Sequence, residues 1–189
     1  RDLDITAVYR LLIAERIVLL FSPSGAGKTS LVQAGLIPRM KEKGFNVLPV
    51  IRISRELPAN LNPKTTNRYV ASVIQSLDED ESLSQENQIA DDKLAILKLK
   101  DYFDQRLPAN QGSDDDYENY RGAGSKTLLI FDQFEEILTL EPSDRAGKWE
   151  FFTQLGKVLE RRDIWALFVA REDFVAALDP YLRLIPTRL

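Results

Sequence analysis

The chain has 189 residues, 44% of them hydrophobic and 29% charged, with a net charge of -4. These proportions describe one soluble globular domain with a sizeable core, and the charge offers no overall attraction to nucleic acid or to an anionic membrane. Cysteine and histidine are both absent, which excludes disulfides, thiolate nucleophiles, Cys- or His-held zinc and a histidine general base.

Any catalysis must therefore draw on carboxylates, Lys, Arg, hydroxyls or a bound metal. No apolar run approaches the ~18 residues that would span a membrane, and no signal peptide opens the chain. A cytoplasmic setting is expected. The chain starts at Arg1 and stops in the apolar stretch 182–189, so it reads as a fragment of a longer, multidomain protein.

Taken in order, Ile5, Val8 and Leu12 recur at helical spacing within residues 3–15. Ile17 to Phe21 is an unbroken apolar run, the pattern of a parallel strand buried on both faces. A Gly-rich loop follows, then a helix from about Lys28 to Leu36 that Pro38 is expected to stop. Phe45 to Ile53 reads as a second strand, and Pro49 favours an edge or bulged position for it.

Val70, Val73, Ile74 and Leu77 share one face of a helix over 67–77. Residues 78–92 are polar and acidic, a solvated loop. Asp91 or Asp92 is placed to cap a helix running to about Arg106, with Leu94, Leu97, Ile96, Leu99 and Phe103 as its apolar positions. Residues 107–125 read as a long loop or partly disordered insert. Its acidic run, Asp114 to Asp116, lacks the fixed ligand spacing of a metal site and reads as solvated.

Thr127 to Phe131 is a third strand, ending at Asp132. Trp149, Phe152, Leu155 and Leu159 mark a helix. Ile164 to Ala170 is a fourth strand, ending at Arg171, and a short helix from Glu172 to Leu178 is ended by Asp179-Pro180. Strands alternating with helices predict a parallel sheet.

The loop Ser22-Pro-Ser-Gly-Ala-Gly-Lys-Thr29 matches the phosphate-binding pattern except at its first glycine position, where Ser22 stands. Its chemistry follows from its residues. Gly25 and Gly27 let successive backbone N–H groups turn inward toward phosphate oxygens, and Ala26 is too small to obstruct them. The following helix adds its positive end. Lys28 suits the β- and γ-phosphates as a flexible point charge, Thr29 offers a hydroxyl to magnesium, Ser30 is expected to contact phosphate through its N–H or hydroxyl, and Ser24 belongs to the same nucleotide-binding set. The competing reading is a Gly-rich turn with a solvated lysine. The strand before the loop and the helix after it favour phosphate.

The apolar run Leu128-Leu-Ile-Phe131 delivers Asp132 to a strand tip. In nucleotide-hydrolysing proteins of this build a carboxylate there holds magnesium opposite the loop hydroxyl. Glu135 or Glu136 could orient or deprotonate the attacking water, with Glu135 slightly favoured. The structural alternative makes Asp132 a helix cap with the two glutamates in the first turn. Arg171, at the tip of the fourth strand, is placed beside ligand in an open α/β sheet. It could sense the γ-phosphate, or form a plain ion pair with Glu172 or Asp173.

Together these pieces resemble the STAND ATPases, the signal-transduction branch of P-loop NTPases that includes the NACHT and apoptotic-ATPase groups, and within it the novel STAND group found chiefly in bacteria. The resemblance is carried by Ser22 to Leu31 running on to Ala34-Gly-Leu-Ile-Pro38, by Leu129-Ile-Phe-Asp-Gln-Phe-Glu-Glu136, and by Arg171-Glu-Asp-Phe174 with Leu178-Asp-Pro-Tyr181. Opening Arg1-Asp2 is similar to the tail of a short Gly-Arg-acid motif that starts such domains.

The resemblance implies a three-layer α/β/α sandwich with a mainly parallel sheet in the ASCE or AAA+-like strand order, filling 1–189 as a single core domain. It implies that Asp132 is the Walker B acid, that Glu135 or Glu136 activates water and that Arg171 is a sensor. It further implies ATP or ADP with Mg2+ as ligands, and a switch working against a helical lid, winged helix, repeats and effector, with self-assembly on activation and roles in bacterial defence or cell death.

Other readings compete. A P-loop kinase would need an acceptor pocket and an arginine-rich lid, and 107–125 holds one arginine, Arg121. A GTPase would carry Asn-Lys-x-Asp, which is absent, so adenine is favoured. A decayed, nucleotide-independent interaction module would not need intact Lys28, Thr29 and Asp132.

Overall fold

The structure, a computed structural model, describes residues 2–78, 91–107 and 126–186. Readings made for 79–90, for 108–125 with Asp114–Asp116 and Arg121, for Arg1 and for 187–189 lie outside the described residues, as do the side chains of Asp91 and Asp92.

Five strands form one sheet: β1 (Ile17–Ser22), β2 (Asn46–Val47), β3 (Ile51–Arg52), β4 (Thr127–Asp132) and β5 (Ile164–Arg171). The order is β1-β5-β4-β2, and β3 pairs further along the same edge of β4 as β2. Every pairing is parallel. The expected strand at 45–53 is therefore two short pieces. Pro49 has no N–H to give the ladder, and pairing lapses between Val47 and Ile51.

Side-chain alternation along β4 and β5 assigns the two faces. Leu128, Ile130, Trp165, Leu167 and Val169 pack beneath α1 (Asp2–Glu15) and the helix that follows the loop, through Val8, Leu12, Val32, Leu36 and Met40. Leu129, Phe131, Ala166 and Phe168 face the other way. They meet α4 (Arg68–Asp78), α6 (Leu99–Arg106), α8 (Arg145–Leu159) and α9 (Val175–Leu182). Helices on both faces of a parallel sheet make three α/β/α layers.

The helix after the loop does not stop near Pro38. It runs as α2 (Lys28–Ser30), a π-helical stretch (Leu31–Leu36) and α3 (Ile37–Glu42). The Ile37 N–H reaches back five residues to Val32. The ladder restarts as an α-helix with Pro38 in its first turn, where a missing N–H has no partner to lose.

Asp179-Pro180 does not end the last helix either. A 3-10 turn (Glu172–Phe174) leads into α9, which continues to Leu182 with Pro180 inside. Buried Leu178 and Leu182, and the stack of Tyr181 on Phe152 at 5.2 Å, hold it. The single helix expected over 91–106 is two, α5 (Asp91–Leu94) and α6, separated by extended backbone at Lys98. The break leaves Ile96 at 82% exposure.

On α8 the register differs from the expected one. Trp149 is 53% exposed, whereas Lys148 is buried with its Nζ satisfied by the Glu141 carbonyl. Phe151, Phe152 and Leu155 set that register. β1 is buried at its start, but Phe21 is 52% exposed. Among the described residues β1 pairs on one side only. None of the described helices is long and apolar enough to cross a membrane.

Candidate functional site

The loop between β1 and α2 sits at the C-terminal edge of the sheet, beside the tips of β4 and β5. Its two turns are made by Gly25 at φ 78 and Gly27 at φ 79, a region closed to most side chains. A side chain at Gly25 would meet nothing within 4 Å, so it is the left-handed backbone and not crowding that calls for glycine there. Gly27 hands its carbonyl to the Leu31 N–H at 2.9 Å and starts the helix. Ser24, Gly25 and Ala26 are exposed at the loop crest, and Ser30 is exposed on the first helical turn.

Lys28 folds back across the loop. Its Nζ donates to the Ser22 carbonyl at 2.7 Å, to the Pro23 carbonyl at 3.0 Å and to Ser22 Oγ at 3.1 Å. Ser22 thus fits the first glycine position for a visible reason. It is the last residue of β1, and the described residues with positive φ other than glycine are Arg16 and Gln133. Extended backbone needs no glycine, and the hydroxyl adds an acceptor for Lys28.

Asp132 ends β4 at 3% exposure. The Thr29 hydroxyl lies 3.1 Å from its Oδ2 and 3.3 Å from its Oδ1. The Gln133 N–H donates to Oδ1 at 3.0 Å, and Arg52 NH2 meets Oδ2 at 2.9 Å. Arg52 NH1 also engages Gln133 Oε1. Arg52 and Gln133 were missed in the sequence. The sequence reading ran that strand on to Ile53, so Arg52 did not stand out as a charged strand tip; the register of β3 against β4 is what brings it to Asp132.

Phe134 anchors the turn after Asp132. Its N–H donates to the Val169 carbonyl at 2.9 Å, and its ring packs on Phe168 at 4.8 Å and on Phe131 at 5.5 Å. The anchor sets Glu135 beside β5, where Oε2 accepts the Arg171 N–H at 3.2 Å. Arg171 is in register with Ser22, so this carboxylate borders the start of the loop. Glu136 begins α7 (Glu136–Thr139), with its Oε2 buried and without a hydrogen-bond partner. The Arg171 guanidinium pairs with Asp173 and lies over the Phe174 ring at 5.3 Å. Of the two readings weighed for Arg171, the ion pair is the one formed here.

The chain matches the family model of novel STAND NTPase 1 over residues 1–187. It belongs to that family. The resemblance drawn from the loop and from the Asp132–Glu136 segment therefore holds along nearly the whole chain, and this STAND domain is an NTPase domain by family. It is similar to the ORC2 protein of Aeropyrum pernix in its ADP form, at 17% identity and a TM-score of 0.48, over 96% of this chain and 42% of that one. It thus spans less than half the length of that protein. No curated protein sequence matches the chain.

The donor set suits magnesium with a nucleotide. Thr29 Oγ1 and the Asp132 carboxylate are hard oxygen donors side by side, and no group of three or more acidic residues forms a self-sufficient metal cage among the described residues. Magnesium characteristically takes one or two protein oxygens and completes its shell with phosphate and water.

Proposed function

We propose that this STAND domain binds ATP with Mg2+ on residues 22–30 and hydrolyses it slowly, as the switch of a larger signalling protein. The observation that carries the reading is the Thr29–Asp132 pair, which sits beside the Lys28 loop at the strand tips. Lys28 would leave Ser22 and Pro23 for the β- and γ-phosphates, and the N–H groups from Ser24 to Ser30 would line the phosphate path. Thr29 and Asp132 would hold magnesium, which supplies positive charge against the phosphates when bound. Glu135, adjoining the loop at Arg171, is the better placed of the two glutamates to orient water. Arg171 would act as a sensor only after leaving Asp173.

The domain fills 1–189 as one core in this reading. Its partners are the other domains of the parent protein, namely a helical lid, winged helix, repeats and effector, with self-assembly on activation. The setting is the cytoplasm, with output in bacterial defence or programmed cell death.

Calorimetry on the intact protein tests the reading. ATP with Mg2+ should bind and GTP bind more weakly. Lys28→Ala should lower ATP affinity at least about a hundredfold, the loss expected for charge-assisted hydrogen bonds to phosphate, while circular dichroism stays unchanged. Undiminished ATP affinity in that variant would remove the site assignment.

A further inference from the structure

Arg52 and Asp132 face each other in the strand register of β3 and β4. Both oxygens of the carboxylate are engaged: Oδ1 by the Gln133 N–H, Oδ2 by the Arg52 guanidinium, and each within reach of the Thr29 hydroxyl. Gln133 holds this arrangement from a left-handed backbone at φ 54. Non-glycine residues rarely adopt that conformation unless their surroundings impose it. There its N–H points to Asp132 and its side chain to Arg52.

We propose that Arg52 is a positioning residue of the nucleotide site. It pairs with the nearly buried Asp132 carboxylate and must release Oδ2 before that oxygen can serve a cation. The inference rests on reading 22–29 as a nucleotide site. Two features make the release inexpensive. The strand that carries Arg52 is two residues long, and its side chain is 35% exposed. A guanidinium and a divalent cation on the same carboxylate repel each other, so Arg52 and Mg2+ compete. Arg52 therefore sets how much Mg2+ the site needs.

Titrating Mg2+ into the intact protein with a fluorescent ATP analogue tests this. Arg52→Gln should leave affinity in EDTA within about twofold of the parent and lower the Mg2+ concentration at half-enhancement about tenfold, a typical coupling between two ligands. Arg52→Lys, which keeps the charge, should stay near the parent. If Arg52→Gln does not fold, Gln133→Ala, which removes the guanidinium's other acceptor, should shift the midpoint the same way by about threefold. An unmoved midpoint in the folded variant overturns the inference and leaves the nucleotide site standing. Equal loss of affinity with and without Mg2+ also overturns it, because Arg52 would then serve the phosphates or the fold. A parent protein that binds no ATP under either condition removes the site reading and the inference together.

Discussion

Thr29 Oγ1 lies 3.1 Å from Asp132 Oδ2, although 103 residues separate them in the chain and β5 separates their strands. The contact joins the loop to the acidic strand tip. Thr29→Val should therefore blunt the gain in ATP affinity on adding Mg2+, while affinity in EDTA changes little. Asp132→Asn should do the same. The double variant should lose no more than the stronger single one, because both act on one cation. Calorimetry with and without EDTA gives all the values, and fully additive losses would place the two residues on separate ligands.

The two glutamates are told apart by their surroundings. Glu135 touches the Arg171 N–H at the tip of β5, and Glu136 has a buried oxygen without a partner. Glu135→Gln should cut ATP turnover by the intact protein about a hundredfold, the lower end for a lost general base, with ATP affinity retained. Glu136→Gln should leave turnover nearly unchanged. A phosphate-release assay measures both, and the reverse pattern would exchange their roles.

Phe134 is a structural hub two residues from Asp132, with its ring against Phe131, Phe152 and Phe168. Phe134→Ala should cost about 3–5 kcal/mol of stability, as large buried aromatics do. It should also weaken the Mg2+ enhancement, since the same residue aims the turn carrying the acids. Urea unfolding followed by tryptophan fluorescence reports the first effect.

Away from the site, Tyr102 is buried, and its hydroxyl donates to Asp78 Oδ1 at 2.8 Å. Burial, and then the Asp78 charge, push the phenol well above its usual range. The neutral form is thus favoured in the folded state. Its contribution is intact below pH ~10, the unfolded value, and drains away above it. Unfolding free energy should fall between pH 9 and 11, and Tyr102→Phe should be less stable at pH 9 yet show a shallower fall.

Much of the architecture was legible because the strands are apolar runs that end at charged tips. Ile17–Ser22, Thr127–Asp132 and Ile164–Arg171 sit within a residue of their expected bounds. The misread helix stops at Pro38 and Pro180 and the misread register of α8 share one physical cause, that tertiary packing overrode a local rule. Pro38 is absorbed by π-type bonding before it, and Pro180 by the seating of Leu178, Tyr181 and Leu182. Lys148 goes inward because a carbonyl waits there for its ammonium. At the site, loop and acid were legible as motifs. Arg52 was not, because only the register of β3 against β4 brings it to Asp132.

The placement of β5 between β1 and β4 also sets when the domain becomes competent during its synthesis. The loop emerges first and the acidic tip about a hundred residues later, yet the two cannot settle at their final separation until Ile164–Arg171 is threaded between them. A nascent chain halted before that strand carries every residue of the phosphate loop and Asp132, with no spacer to set β1 and β4 two strand widths, roughly 10 Å, apart. Such a chain should not retain nucleotide. Uptake by the proposed site should therefore wait until residues 164–171 have been made.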